Sequence, residues 1–138
     1  MREHPKIYLI RHGETDWNAE RRYQGQSDVP INDNGRAQAK RNGVALRALL
    51  PGIAEARYIS SPLGRTRETM RIIRRELGLP PGEFTTDERL LELSYGKWQG
   101  QLLSDLPRTD PGAIEARNAD PFQWRPGGGE NYTDLTKR

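Results

Sequence analysis

Arg11-His12-Gly13-Glu14-Thr15 sets a guanidinium beside an imidazole directly after the apolar run Ile7-Tyr8-Leu9-Ile10. Such a run reads as a buried strand, and the glycine behind the pair lets the chain turn sharply. Arg and His at the C-terminal end of a strand stand where open α/β sheets bind ligands. The chemistry this pair suits is phosphoryl transfer, with Arg11 clamping oxygens and His12 attacking phosphorus. To attack, His12 must be neutral, and nearby arginines lower an imidazole pKa and keep its lone pair free at pH 7. A second guanidinium, Arg65, falls in the first turn of a predicted helix after Ser61-Pro62. A cation there opposes the helix macrodipole by ~0.3–1 kcal/mol. Strand, Ser-Pro and helix N-terminus together form an anion site, and Arg65 would deepen it. Arg67 reads as an outward, solvated side chain. Glu92 follows the apolar pair Leu90-Leu91 and precedes Tyr95-Gly96. Alone it reads as a surface glutamate. Partly buried beside a phosphate dianion, it would instead have a raised pKa and could protonate a leaving oxygen.

The elements that must position these groups follow from periodicity and punctuation. The first strand is predicted over 6–10, followed by a long polar loop to about Asn32 that carries Trp17, Asn18, Tyr23, Gln24 and Gly25. Long ordered loops after a strand are more often functional than idle. A helix is predicted over 33–50, N-capped by Asn32, with Ala37, Val44, Ala45 and Ala48 on its inner face and Pro51-Gly52 ending it. A second strand is expected near 56–60, and a helix over 63–77 with Leu63, Thr66, Met70, Ile73 and Leu77 at helical spacing. Phe84-Thr85-Thr86 reads as a short edge strand, 101–106 and 111–118 as short helices, and a further helix begins at Glu130 after the Pro126-Gly127-Gly128-Gly129 junction. Strand, helix, strand, helix in this order argues for a parallel α/β sheet with right-handed crossovers.

Composition narrows the field. The chain of 138 residues suits one domain, and with 33% hydrophobic and 30% charged residues it is polar for a globular protein. The formal net charge is +3. No basic run with interleaved aromatics appears, which argues against nucleic acid, and Arg71, Arg74 and Arg75 read as a solvated helix face. There are no cysteines, hence no thiolate nucleophile or disulfide framework. No apolar stretch approaches the ~20 residues of a membrane span, and the N-terminus lacks a signal-peptide core. A soluble cytoplasmic protein is expected.

In this order and spacing the motifs resemble the histidine phosphatase superfamily, which includes cofactor-dependent phosphoglycerate mutases. The resemblance rests on Arg11 to Thr15 with Trp17-Asn18, Gln24-Gly25, Asp28-Val29-Pro30, Asn34-Gly35 and Gln38-Ala39. It continues through Ser61-Pro62-Leu63 with Arg65 and Thr69, Glu92 with Tyr95-Gly96, Trp98 with Gly100, and Gly129-Glu130. It implies a three-layer α/β fold with a mostly parallel sheet flanked by helices. It makes His12 the phosphorylated nucleophile, Arg11 and Arg65 the holders of the phosphoryl oxygens, and Glu92 the proton donor and acceptor. Gly13, Thr15, Asn18, Gln24, Gly25 and Tyr95 would line the phosphoryl and substrate side. No metal and no cofactor are implied, and the partner is a small phosphorylated metabolite. The family's second histidine, in a late His-Gly element, has no counterpart: only His4, on the N-terminal tail, and His12 are present. The chain therefore reads as one histidine phosphatase domain over 1–138 lacking its C-terminal strand and helix. Its activity is expected to be reduced by ~10²–10³-fold, and its incomplete sheet to pair with another copy. Phosphomonoester hydrolysis is favoured over a mutase because only Gln101 to Arg125 separates Gly100 from the Pro126 junction. A non-catalytic phospho-ligand or partner-binding module is the alternative of another class.

Overall fold

The computed structural model describes residues 5–138, so His4 lies outside the described residues. The fold is α/β. Helices α1 (Asp16–Ala19), α2 (Asp33–Leu49) and α3 (Gly64–Glu76) precede the short α4 (Leu106–Thr109), α5 (Ala113–Ala119) and α6 (Tyr132–Lys137). Strands β1 (Ile59–Ser60) and β2 (Thr85–Thr86) pair in parallel, Ile59 opposite Thr85 and Ser60 opposite Thr86, with α3 in the connection between them.

The predicted strand over 6–10 is not in a ladder. It runs without regular secondary structure, and Ile7 and Leu9 are 86% and 94% exposed. Apolar character gave this run a strand's pattern, but among the described residues no neighbouring strand pairs with it. The second strand is likewise shorter than 56–60.

Helix α2 begins where expected. The Asn32 side chain accepts from Gly35 N at 2.9 Å, satisfying one of the free amides of the first turn. Its inner face is not the predicted one. Ala37, Val44, Ala45 and Ala48 are exposed, whereas Gly35, Ala39 and Gly43 are buried against α3. Small residues every fourth position let the two backbones come close. A Cβ on Gly43 would stand 2.7 Å from the Cβ of Glu76 and 3.1 Å from the carbonyl oxygen of Ile73. Close approach, not apolar side-chain volume, chose the buried face.

The Arg71–Arg75 cluster is only partly solvated. Arg74 is 5% exposed, stacks at 4.4 Å over the Tyr58 ring and donates from Nε to Pro80 O at 2.9 Å. It ties the turn before β2 to the residue just before β1.

A second centre of packing lies in the C-terminal half. Trp98 and Leu106 are fully buried, with Ala113, against Tyr23, Tyr95, Ile114 and Trp124. The Trp98 indole N–H, which burial would otherwise leave unpaired, donates to Asp110 Oδ2 at 2.7 Å. Helix α6 starts with a capping box in which Asn131 and Asp134 satisfy each other's backbone amides.

Candidate active site

The Arg11–Thr15 segment is pinned to the start of α2 and to α3. Gly13 lies so close to Gly35 that a Cβ on either would overlap the other segment's backbone. Gly13 N donates to Thr69 Oγ1 at 3.0 Å, and Thr69 Oγ1 donates in turn to Arg65 O at 2.8 Å. Glu14 N donates to Gln38 Oε1, while the Glu14 carboxylate accepts from Asn32 Nδ2 and Asn34 Nδ2, both at 3.1 Å. These two amide donors hold the Glu14 carboxyl below its usual pKa.

His12 is half-buried, and its Nδ1 lies 2.6 Å from the carbonyl oxygen of Gly13. A carbonyl can only accept, so Nδ1 carries the proton and Nε2 keeps the lone pair. Burial lowers the His12 pKa below 6.5; the cations Arg65 and Arg11 add to this, opposed by the Gly13 hydrogen bond and the Glu92 carboxylate. Burial lowers the Arg65 pKa as well, opposed by the Glu92 and Asp28 carboxylates and reinforced by Arg11. Arg65, Arg11 and Glu92 thus each act on the charge of His12.

Arg65 is 1% exposed. Its Nη1 donates to Ser27 O at 2.8 Å and its Nη2 to Gly25 O at 2.6 Å, so the side chain holds the 24–27 turn in place. Gly25 sits at φ +51° in this turn, where a Cβ would stand 2.6 Å from Gln99 Oε1. Arg65 Nε is buried without a partner. A buried, unpaired guanidinium N–H is costly.

At the N-terminus of α3, expected to form an anion site, an amide is already taken. Asp28 Oδ1 accepts from Gly64 N at 2.7 Å, so a carboxylate of the chain already takes that position. The helix end lacks a capping side chain of its own, and the 24–28 turn supplies one.

Thr15 and Gln24, expected to line the substrate side, are 0% and 7% exposed. The Thr15 hydroxyl donates to Gln24 Oε1 and accepts from Asn18 N at 3.1 Å, and Asn18 Oδ1 accepts from Thr15 N. This capping box starts α1 and seats the loop. Both residues act on the site's frame rather than its opening. Asn18 and Tyr95 are half-buried, whereas Glu92 is exposed, not partly buried as expected, with its Oε1 accepting from Leu93 N at 2.9 Å. Arg11 is exposed and Arg67 is exposed as read.

Two contributors were not assigned roles from sequence. Thr69 couples Gly13 to α3, and its place four residues after Arg65, on the same helix face, was the available signal. Gln99 Oε1 accepts from Gln26 N and Tyr95 N, and its Nε2 donates to Ser27 Oγ. No sequence signal marked it.

The family described as Histidine phosphatase superfamily (branch 1) matches residues 7–138. Probable phosphoglycerate mutase GpmB of Salmonella paratyphi B is 40% identical over 133 residues, covering 96% of this chain and 59% of that protein. Among solved structures, a mycobacterial glucosyl-3-phosphoglycerate phosphatase complexed with VO3 superposes with a TM-score of 0.77 at 33% identity, over 91% of this chain and 59% of that one. YhfR of Bacillus stearothermophilus superposes with a TM-score of 0.76 at 36% identity, over 92% and 59%. The chain spans 59% of the length of the curated relatives it matches.

Proposed function

The chain belongs to the histidine phosphatase superfamily, branch 1, and from that membership we propose that it hydrolyses small phosphomonoesters through a phosphohistidine on His12. Nε2 of His12 attacks phosphorus as the ester oxygen leaves, and Glu92 gives that oxygen its proton. Water then attacks phosphorus, giving its proton to Glu92, and the phosphorus–nitrogen bond breaks, so that inorganic phosphate departs with the Nε2 lone pair of His12 restored. Arg11 and Arg65 neutralise the phosphoryl oxygens through their charge. The reaction needs no metal on this reading, since the arginines supply the charge, and it takes place in the cytoplasm on a small phosphorylated metabolite.

The observation that carries the proposal is the His12 ring held through Nδ1 to Gly13 O, its Nε2 lone pair free amid two cations and one carboxylate. Incubation with p-nitrophenyl phosphate, quenching and mass spectrometry should find acid-labile phosphate on His12, absent from His12→Asn. A module that only binds phospho-ligands gives no label in either protein. The 40% identity to a probable phosphoglycerate mutase favours a second reading, return of the phosphoryl group to another hydroxyl. Release of inorganic phosphate, rather than an isomeric monoester, separates the two.

A further inference from the structure

Glu130 belongs to the Gly129-Glu130 element that the mechanism leaves unused, and it meets the segment that carries Glu92. Its backbone N donates to Ser94 O at 2.8 Å, and its Oε2 accepts from Ser94 N at 2.8 Å. The same Oε2 accepts from Arg138 Nη2 at 3.0 Å. Arg138 then reaches along the segment, donating from Nη1 to Leu91 O at 2.6 Å and Arg89 O at 3.1 Å, and from Nη2 to Glu92 O at 3.3 Å. On the other flank Gln26 Nε2 donates to Glu92 O at 3.0 Å. Glu130 and Arg138 bracket the two ends of α6 (Tyr132–Lys137), so the helix spans the gap between its two contacts.

Residues 89–94 form no helix or strand beyond the turn Glu88–Leu90, so their carbonyls would otherwise be held by nothing regular. A fork of five N–H donors suits several carbonyls at once, where an ammonium would serve fewer. We propose that Glu130 and Arg138 are positioning residues: by gripping the backbone of 91–94 they hold the exposed Glu92 carboxyl within reach of the leaving oxygen. The inference rests on the acid role given to Glu92 above.

The test exploits the leaving group. p-Nitrophenolate departs without a proton, whereas the alkoxide of glycerol 3-phosphate needs one. Rates of His12 phosphorylation with each ester, from rapid-quench mass spectrometry, give a leaving-group ratio. Glu92→Gln should slow the alkyl ester by ~10²-fold or more and the aryl ester far less. Arg138→Ala should slow the alkyl ester roughly tenfold, leave the aryl ester within about twofold, and add little to Glu92→Gln in the double variant. Arg138→Lys should restore part of the loss. Glu130→Gln should shift the ratio in the same direction, and it serves as the test if Arg138→Ala does not fold. Equal slowing of both esters, or full additivity in the double variant, would overturn the positioning role while leaving the phosphatase reading intact. A Glu92→Gln protein with an unchanged ratio, or an unsubstituted chain whose His12 takes phosphate from neither ester, would defeat the acid assignment and this inference together.

Discussion

Arg65→Lys separates the two duties assigned to one side chain. The guanidinium now donates to both Ser27 O and Gly25 O from a position 1% exposed. A lysine ammonium keeps the charge but, lacking the planar fork, leaves one of those carbonyls without a donor. An orphaned buried acceptor costs about 1–3 kcal/mol. At roughly 3–4 °C per kcal/mol for a domain of this size, the thermal midpoint should fall by about 3–12 °C. If Arg65 contacts the phosphoryl group as proposed, the substitution also disturbs that contact, and losing one charge-assisted hydrogen bond to an anion costs about 1.5–3 kcal/mol. That corresponds to about 10–150-fold weaker binding. Differential scanning calorimetry reads the first quantity and titration with orthovanadate the second. Arg67→Ala, on the solvated side of the same turn, should move stability by less than about 0.5 kcal/mol and leave vanadate affinity unchanged. An Arg65→Lys protein with unchanged midpoint and affinity would refute the placement of Arg65 as both tether and anion ligand.

His12 should titrate below 6.5 in the folded chain by NMR, because burial and then the two arginines disfavour its charged form. The sign follows: as pH falls below 6.5 the unfolded chain takes up a proton that the native one resists, so His12 costs stability on the acid side and nothing above it. A midpoint at or above 6.5 would contradict the site's electrostatics. Gly13→Ala would drive a methyl into Gly35, and overpacking of this kind costs about 1–3 kcal/mol; urea unfolding checks the loss, and vanadate affinity should fall with it. Leu9→Lys should change stability by less than about 0.5 kcal/mol because the side chain is 94% exposed. A larger drop in chemical denaturation would mean that residues 7–10 are packed.

How much could be read in advance depended on whether a residue's signal was local. The N-cap at Asn32, the extent of α3 and the Thr85-Thr86 strand are local features, and each falls within a residue or two of expectation. The chemistry proposed for His12, Arg11, Arg65 and Glu92 was suggested by the residue types of each motif, which are likewise local. What failed was long-range. Which face of α2 is buried depends on how close α3 comes, and the apolar pattern of Ala37 and Val44 carries no such information. Strand 6–10 needed a neighbour, and an apolar run in one segment says nothing of its partner. Asp28 reaching Gly64, and Arg65 reaching Gly25, join residues 36 and 40 positions apart. No spacing rule relates them.

The burial of Trp98 equips the molecule with its own optical gauge. Its indole is wholly shielded, with the rings of Tyr23 at 5.1 Å and Trp124 at 5.0 Å. Its emission should be blue-shifted and fed by tyrosine excitation as long as the 95–124 region stays closed. Far-ultraviolet ellipticity, by contrast, comes mainly from α2 and α3, with 17 and 13 residues. Heating while recording both colours would tell whether the aromatic half and the helical half melt as one body or in sequence.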